Sequence, residues 1–266
     1  MAFSSSSSLS RNHHAIRSIS LPTRSHPSTL QAEEELTNLR RWETAVPCIP
    51  DAETVCSGVA SLERLYTCVD SLFSLPLTRQ ALSQHQHEKL VDELLDRSMR
   101  HLDVCGSVRD VVSQVKEHVR DVQSALRRRK GDFIIDASFL KKLKKDAKRG
   151  VADLKQIDHL YASKPMNLEP HLCSVIRVMR DVSEVSISIF GLLLSYLSLS
   201  ICKPKSTTKW SIVSKFIQKG TAGSKDQPQI CVEALECNIE AIENGLECMF
   251  RRLIRTRASL LNILSH

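Results

Sequence analysis

The sequence predicts an all-α fold: a multi-helix bundle with a long C-terminal heptad helix, preceded by a disordered N-terminal tail. Three observations predict it. The 266 residues include only eight Gly and nine Pro, with long stretches free of both, and 5% aromatics, which disfavours the short strands and frequent turns of all-β folds. Apolar residues recur at alternating steps of three and four in several separate stretches. Hydrophobic residues make up 42% of the chain, enough for one sizeable core over residues 31–266.

Residues 1–30 contain ten Ser, no acid and no regularly spaced apolar face, and read as a disordered tail. The opening MAFSSSSSLSRNHHAIRS lacks an apolar h-region, so no secretory signal is expected and the thiols should stay reduced in a cytoplasmic setting. The same acid-free, Ser-rich, Arg-containing composition also fits a chloroplast transit peptide. From Asp51, a plausible N-cap, Val55, Val59, Leu62, Tyr66, Val69 and Phe73 mark one helical face that ends before Pro76. A longer helix is expected from about Glu88 to Arg129, on the stripe Cys105, Val108, Val112, Val115, Val119, Val122 and Leu126, with Gly106 as a bend. Another should run from near Asp136 to about Tyr161, with KKLKKDAKR on its outer side.

The uncharged VSISIFGLLLSYLSLSIC at 185–202 poses a choice between a membrane span and a buried helix. The stripe Val175, Val178, Val182, Val185, Ile189, Leu192, Tyr196 and Leu199 begins ten residues earlier, among Arg177, Arg180, Asp181 and Glu184. A span has no reason to continue an amphipathic pattern from charged neighbours, and five serines weaken it further, so a central bundle helix is expected. Residues 203–229 read as a long basic connection, within which Trp210, Val213 and Ile217 share one side of a short segment. That side either caps the core or forms an interfacial membrane foot. The last stripe, Val232, Leu235, Ile239, Ile242, Leu246, Met249, Leu253, Thr256, Leu260 and Ile263, is a 3.5-residue seam, packed within the chain or against a partner. Five Glu flank its first half and four Arg its second, as the helix dipole favours.

The net charge of +7 is unevenly placed. Residues 126–149 hold ten Lys or Arg (Arg127, Arg128, Arg129, Lys130, Lys141, Lys142, Lys144, Lys145, Lys148 and Arg149) against three Asp, and residues 203–219 hold five Lys and no acid. Such segments attract phosphate-bearing partners without specifying which. No aromatic stacking platform or zinc finger stands beside them, which disfavours nucleic acid and leaves an anionic membrane surface as the competing partner to protein. The nine Cys include no CxxC pair, and most are expected as small buried hydrophobes. No Walker, dinucleotide, zincin or nucleophile-elbow pattern occurs, and His85 and His87, two apart, would not face one ion on a helix start that should be solvated. No catalytic residue, cofactor or metal site is assigned. The sharpest short motif is Arg17-Ser18-Ile19-Ser20-Leu21-Pro22, which resembles the R-S-x-S-x-P pattern bound by 14-3-3 proteins once the second Ser is phosphorylated.

HHAIRSISLPTRSHP at 13–27, VDELLDRSMRHLDVCG at 91–106, SALRRRKGD at 124–132 and GLECMFRRLIRTRASLLNILS at 245–265 together resemble the plant BYPASS-one-like family, also known as domain of unknown function 241. The chain departs from that pattern at Ala258, where Val is expected, away from the seam. The resemblance implies a plant helical protein linked to root and shoot development, with no catalytic residues to carry over. The expected function is therefore non-enzymatic: an intracellular interaction protein, or a peripheral membrane protein that uses its basic segments on anionic lipid.

Overall fold

A computed structural model describes residues 26–48, 50–128, 137–158, 169–202 and 227–265. Among these there are seven α-helices and no strand: α1 Pro27–Ala45, α2 Ala52–Ser74, α3 Pro76–Leu82, α4 Glu88–Arg127, α5 Ala137–Asp158, α6 Pro170–Cys202 and α7 Gln227–Leu264. A 3₁₀ turn, His85–His87, joins α3 to α4.

The boundaries have local causes. Asp51 caps α2 by accepting from the Thr54 amide (2.8 Å) and the Thr54 hydroxyl (2.6 Å). Those bonds hold its carboxyl below the usual range, the side-chain bond contributing most. Pro76 forces Leu75 into extended backbone, ending α2, and serves as the first residue of α3. Pro27 and Pro170 open α1 and α6 in the same way. Helix α1 begins inside the stretch read from sequence as tail, because Thr29, Ala32, Leu36 and Leu39 bury a narrow face. Gly106, expected to bend α4, lies within an unbroken helix of 40 residues.

Helix directions follow from the pairs they make. Val59 lies against Gly245, Glu63 binds Arg252 and Asp70 binds Thr256, so α2 and α7 run parallel. Arg120 with Glu236, Arg109 with Glu247 and Ser98 with Arg257 make α4 and α7 antiparallel. Tyr66 of α2 meets Ser186 and Thr78 of α3, the helix that follows it, meets His171, so α6 runs antiparallel to α2. The C-terminal ends of α4 and α6 and the N-terminal end of α7 therefore share one pole.

Helix α6 touches α1, α2, α3, α4 and α5. Val185, Ser186, Ile189, Phe190, Leu193, Leu194, Tyr196 and Leu197 are buried on several of its sides. The uncharged stretch is a central bundle helix, and no described helix is long and apolar enough to cross a membrane. Nine of the ten seam positions of α7 are buried and Leu235 is half-buried, and all face α2 and α4 of the same chain. The cysteines depart from expectation: of the seven whose side chains are described, only Cys68 and Cys105 are buried, and Cys48, Cys237 and Cys248 are exposed. Cys237 and Cys248 lie on the side of α7 turned away from its seam.

Helix α1 is held by a close approach. Trp42 covers Gly58, and a Cβ there would fall inside contact distance of the indole, with Cζ2 at 2.9 Å. Gly58→Val should therefore push α1 off α2 and cost about 1–3 kcal/mol, the usual penalty for overpacking. The check is a lower urea midpoint at unchanged m-value, together with faster amide exchange in α1.

Candidate interaction surface

Besides the pairs of Arg40 with Asp181 and Glu184 that join α1 to α6, three groups of polar residues stand out among the described residues: a buried layer, a ladder along α7, and the outer face of α5. In the layer, Asp70 of α2 accepts from Thr256 (2.5 Å) and Arg252 (3.3 Å), and Arg252 also binds Glu63 (3.0 Å). The two carboxylates raise the affinity of the Arg252 guanidinium for its proton, Glu63 first. Arg257 donates to the Leu95 carbonyl (2.6 Å) and to Ser98 (2.9 Å). His101 lies in the core, its Nδ1 2.9 Å from the Arg97 carbonyl and its Nε2 3.1 Å from the Ser183 hydroxyl. The carbonyl can only accept, so Nδ1 carries the proton and Nε2 accepts from Ser183. Between these groups lies a cavity of about 20 Å³ lined by Tyr66, Arg97, His101, Ser183 and Thr256 among others, room for about one water. The layer joins α2, α4, α6 and α7 through bonds its members make with one another.

Along α7, glutamates meet cations of α4. Arg120 binds Glu236 (3.0 Å) and Glu240 (3.2 Å), Lys116 binds Glu243 (2.5 Å) and Glu240 (3.4 Å), and Arg109 binds Glu247 and lies over the Phe250 ring at 4.5 Å. The bond to Glu243 is the largest of the effects that raise the Lys116 pKa. Cys105, beneath this ladder, is pushed up to about 12 by burial, so it packs as a small hydrophobe rather than serving as a nucleophile. The histidine pair does not converge: His85 is exposed and contacts Glu88 at 3.2 Å. His87, expected in solvent, is buried instead, with Nδ1 2.7 Å from the Ala81 carbonyl, where it closes the end of α3. Among the described residues no group of three His, Cys, Asp or Glu could hold a metal ion.

The outer face of α5 differs in kind. Leu143 and Gly150 are buried, a Cβ on Gly150 would meet Leu194 Cδ1 of α6 at 2.9 Å, and Phe139 stacks on His118 of α4 at 4.0 Å. The opposite side exposes Lys141, Lys142, Lys145, Lys148, Arg149 and Lys155. At 100° per residue these six fall within an arc of roughly 140°, which also takes in the positions of Ala137, Ser138, Ala152 and Gln156. Asp146 and Asp153 sit half-buried at its edge, and none of the six pairs with a described carboxylate.

Of the sequence-predicted residues, Lys141, Lys142, Lys145, Lys148 and Arg149 are thus brought together, and Arg127 and Arg128 are exposed at the C-terminal end of α4. Arg17, Ser18, Ser20, Pro22, Arg129, Lys130, Trp210, Val213 and Ile217 lie outside the described residues, as does the side chain of Lys144. Lys155 was not singled out from sequence because it lies beyond the dense run, although its spacing from Lys148 already puts it on the same face.

By architecture the chain is an all-α bundle whose layer of interior polar groups binds within itself and whose dense unpaired charge, among the described residues, is outside. It belongs to the family described as Protein BPS1, whose model matches residues 58–263, from the middle of α2 to the end of α7. Of the four stretches that carry the resemblance, 91–106 and 124–132 fall in that range, 245–265 does so except for its last two residues, and 13–27 does not. No curated protein and no solved structure matches the chain.

Burial is the largest influence on His101, and it lowers the pKa below the usual imidazole value despite hydrogen bonds that oppose it. The folded state then binds fewer protons than the unfolded state near the free value of about 6.5, so this group makes stability rise with pH. Its contribution is present above that value and is lost as pH falls below it. Thermal melts should therefore drop between pH 7.5 and 5.5, and His101→Gln should flatten that dependence.

Proposed function

We propose that this protein is a non-enzymatic regulator that works by binding, using the outer face of α5 to hold an anionic partner. Family membership supports the coarser part of this reading, since the family comprises plant regulatory proteins without known catalytic activity. By the resemblance noted above, the process it serves is root and shoot development. The observation that carries the binding role is the six-cation arc on a helix whose other side is fixed to α4 and α6. Unpaired cations held in one place raise the local concentration of anions and speed their association.

Retention of the full-length protein on a heparin column tests this. The Gln variant of Lys141, Lys145, Lys148 and Arg149 should bind the polyanion about tenfold or more weakly and elute at lower salt. Equal elution with wild type refutes the role of the face.

The tail supplies a second, regulated contact, supported by the motif Arg17-Ser18-Ile19-Ser20-Leu21-Pro22. Phosphate on Ser20 brings about −1.5 to −2 charges and three acceptor oxygens for the arginines of a 14-3-3 groove. Ser20→Ala should abolish 14-3-3 recovery from plant extract and Ser18→Ala should weaken it less. Ser20→Glu should rescue poorly, because a planar carboxylate lacks the phosphate geometry. Undiminished recovery with Ser20→Ala ends this reading.

A further inference from the structure

We propose that the anionic partner of α5 is the surface of a lipid bilayer rich in acidic headgroups, on which the helix lies flat without inserting. The inference rests on the binding role argued above and names the partner of that same face.

Geometry sets the mode of contact. Lys141 to Lys155 spans about 21 Å of helix, and the cations spread over roughly 140° of its circumference, so several can reach one plane at once. Asp146 and Asp153 are half-buried and flank the arc, about 110° and 90° from its centre. The apolar side is already occupied: Leu143 is in the core, Gly150 is against Leu194 and Phe139 is stacked on His118. A free amphipathic helix would roll its apolar side into the acyl region. This one is held at headgroup level, and its attachment is electrostatic. Arg127 and Arg128 lie exposed at the C-terminal end of α4.

The composition of the face separates lipid from the two other polyanions a plant cell offers. Five of the six cations are lysine, a strongly hydrated point charge on a flexible stem, suited to a diffuse field of laterally mobile headgroups. A nucleic-acid surface draws on arginine forks and aromatic platforms, and the arc holds one arginine and no aromatic residue. An acidic protein partner would need an apolar centre from which water is excluded, and lysine is depleted at such interfaces. Among the described side chains of the arc the apolar one is Ala152.

The test is sedimentation of full-length protein with sucrose-loaded phosphatidylcholine vesicles containing about 30% phosphatidylserine. Wild type should bind these and not pure phosphatidylcholine. Each lysine changed to Gln should weaken binding about fivefold, so the quadruple Gln variant should lose more than a hundredfold, while the corresponding Lys→Arg variant at 141, 145 and 148 keeps it. Circular dichroism checks that the variants fold. Binding that survives about 0.5 M NaCl would mean insertion and overturn the flat, electrostatic mode. Equal binding to neutral vesicles, undiminished binding by the quadruple Gln variant, or loss in the Lys→Arg variant would overturn the proposal. Preference for duplex RNA over vesicles would do so too. Heparin binding that needs the α5 cations, without vesicle binding, leaves the anion-binding role standing and removes only the membrane. Loss of both removes the role itself.

Discussion

The bundle depends on the last helix to be made. Helix α7 lies between α4 and α2, and each of its flanks is chemically matched to a different neighbour. One flank carries Glu236, Glu240, Glu243 and Glu247 to Arg120, Lys116 and Arg109 of α4. The other carries Arg252 and Thr256 to Glu63 and Asp70 of α2. The seam between them, from Val232 to Ile263, supplies the apolar burial that dominates the energy. An apolar seam alone tolerates a slip by one heptad. The glutamate flank also repeats at seven, so a slide of one heptad would still set a glutamate against Arg109 and Lys116; the other flank does not tolerate it, because Arg252 and Thr256 would leave Glu63 and Asp70. Exposed rungs of the glutamate ladder contribute little individually, so their value lies in favouring the antiparallel direction of α4 and α7, while register is held by the α2 flank.

Most of this was legible as periodicity. The stripes of α2, α4, α6 and α7 are runs of large β-branched or aliphatic residues at steps of three and four, and the burial of their described members, apart from the half-buried Leu192 and Leu235, follows from that spacing. The centrality of α6 was also readable, since apolar residues occupy nearly its whole circumference. Helix α1 was not, because half of its buried face is Thr29 and Ala32, too small and too polar to stand out from the neighbouring tail. His87 escaped for another reason: its burial depends on how α3 ends, with the Ala81 carbonyl facing the ring, and no local spacing encodes that. The basic face of α5 was partly legible. The run at 141–149 was evident, while its restriction to one arc that extends to Lys155 required the helix to be placed.

The buried polar layer shows where single-sequence reading stops. Asp70, His101, Ser183 and Thr256 each occupy core positions on a different helix, and alone each looks like an imperfection in an apolar stripe. Their meaning exists only in combination, when Asp70 meets Thr256 and Arg252, and His101 meets Ser183. Replacing such a layer with apolar residues could keep the stability of the bundle, since desolvation offsets much of what the pairs return. What would be lost is the distinction between the intended arrangement of four helices and its near alternatives, which is the better-attested use of polar groups in helical cores.

That division of labour bears on where such a protein acts. The polar groups of the buried layer are spent on one another and on nearby backbone, and the cavity among them has room for about one water. Binding chemistry is then concentrated on side chains the bundle does not need. On α5, Leu143, Gly150 and Phe139 make the contacts that hold the helix, and the six cations opposite contribute nothing evident to packing. Unneutralised like charges on adjacent turns repel and cost the helix some stability. An anionic surface would relieve that repulsion on contact, so the strain intrinsic to the face becomes part of its affinity, and α5 should be more firmly helical when bound than when free.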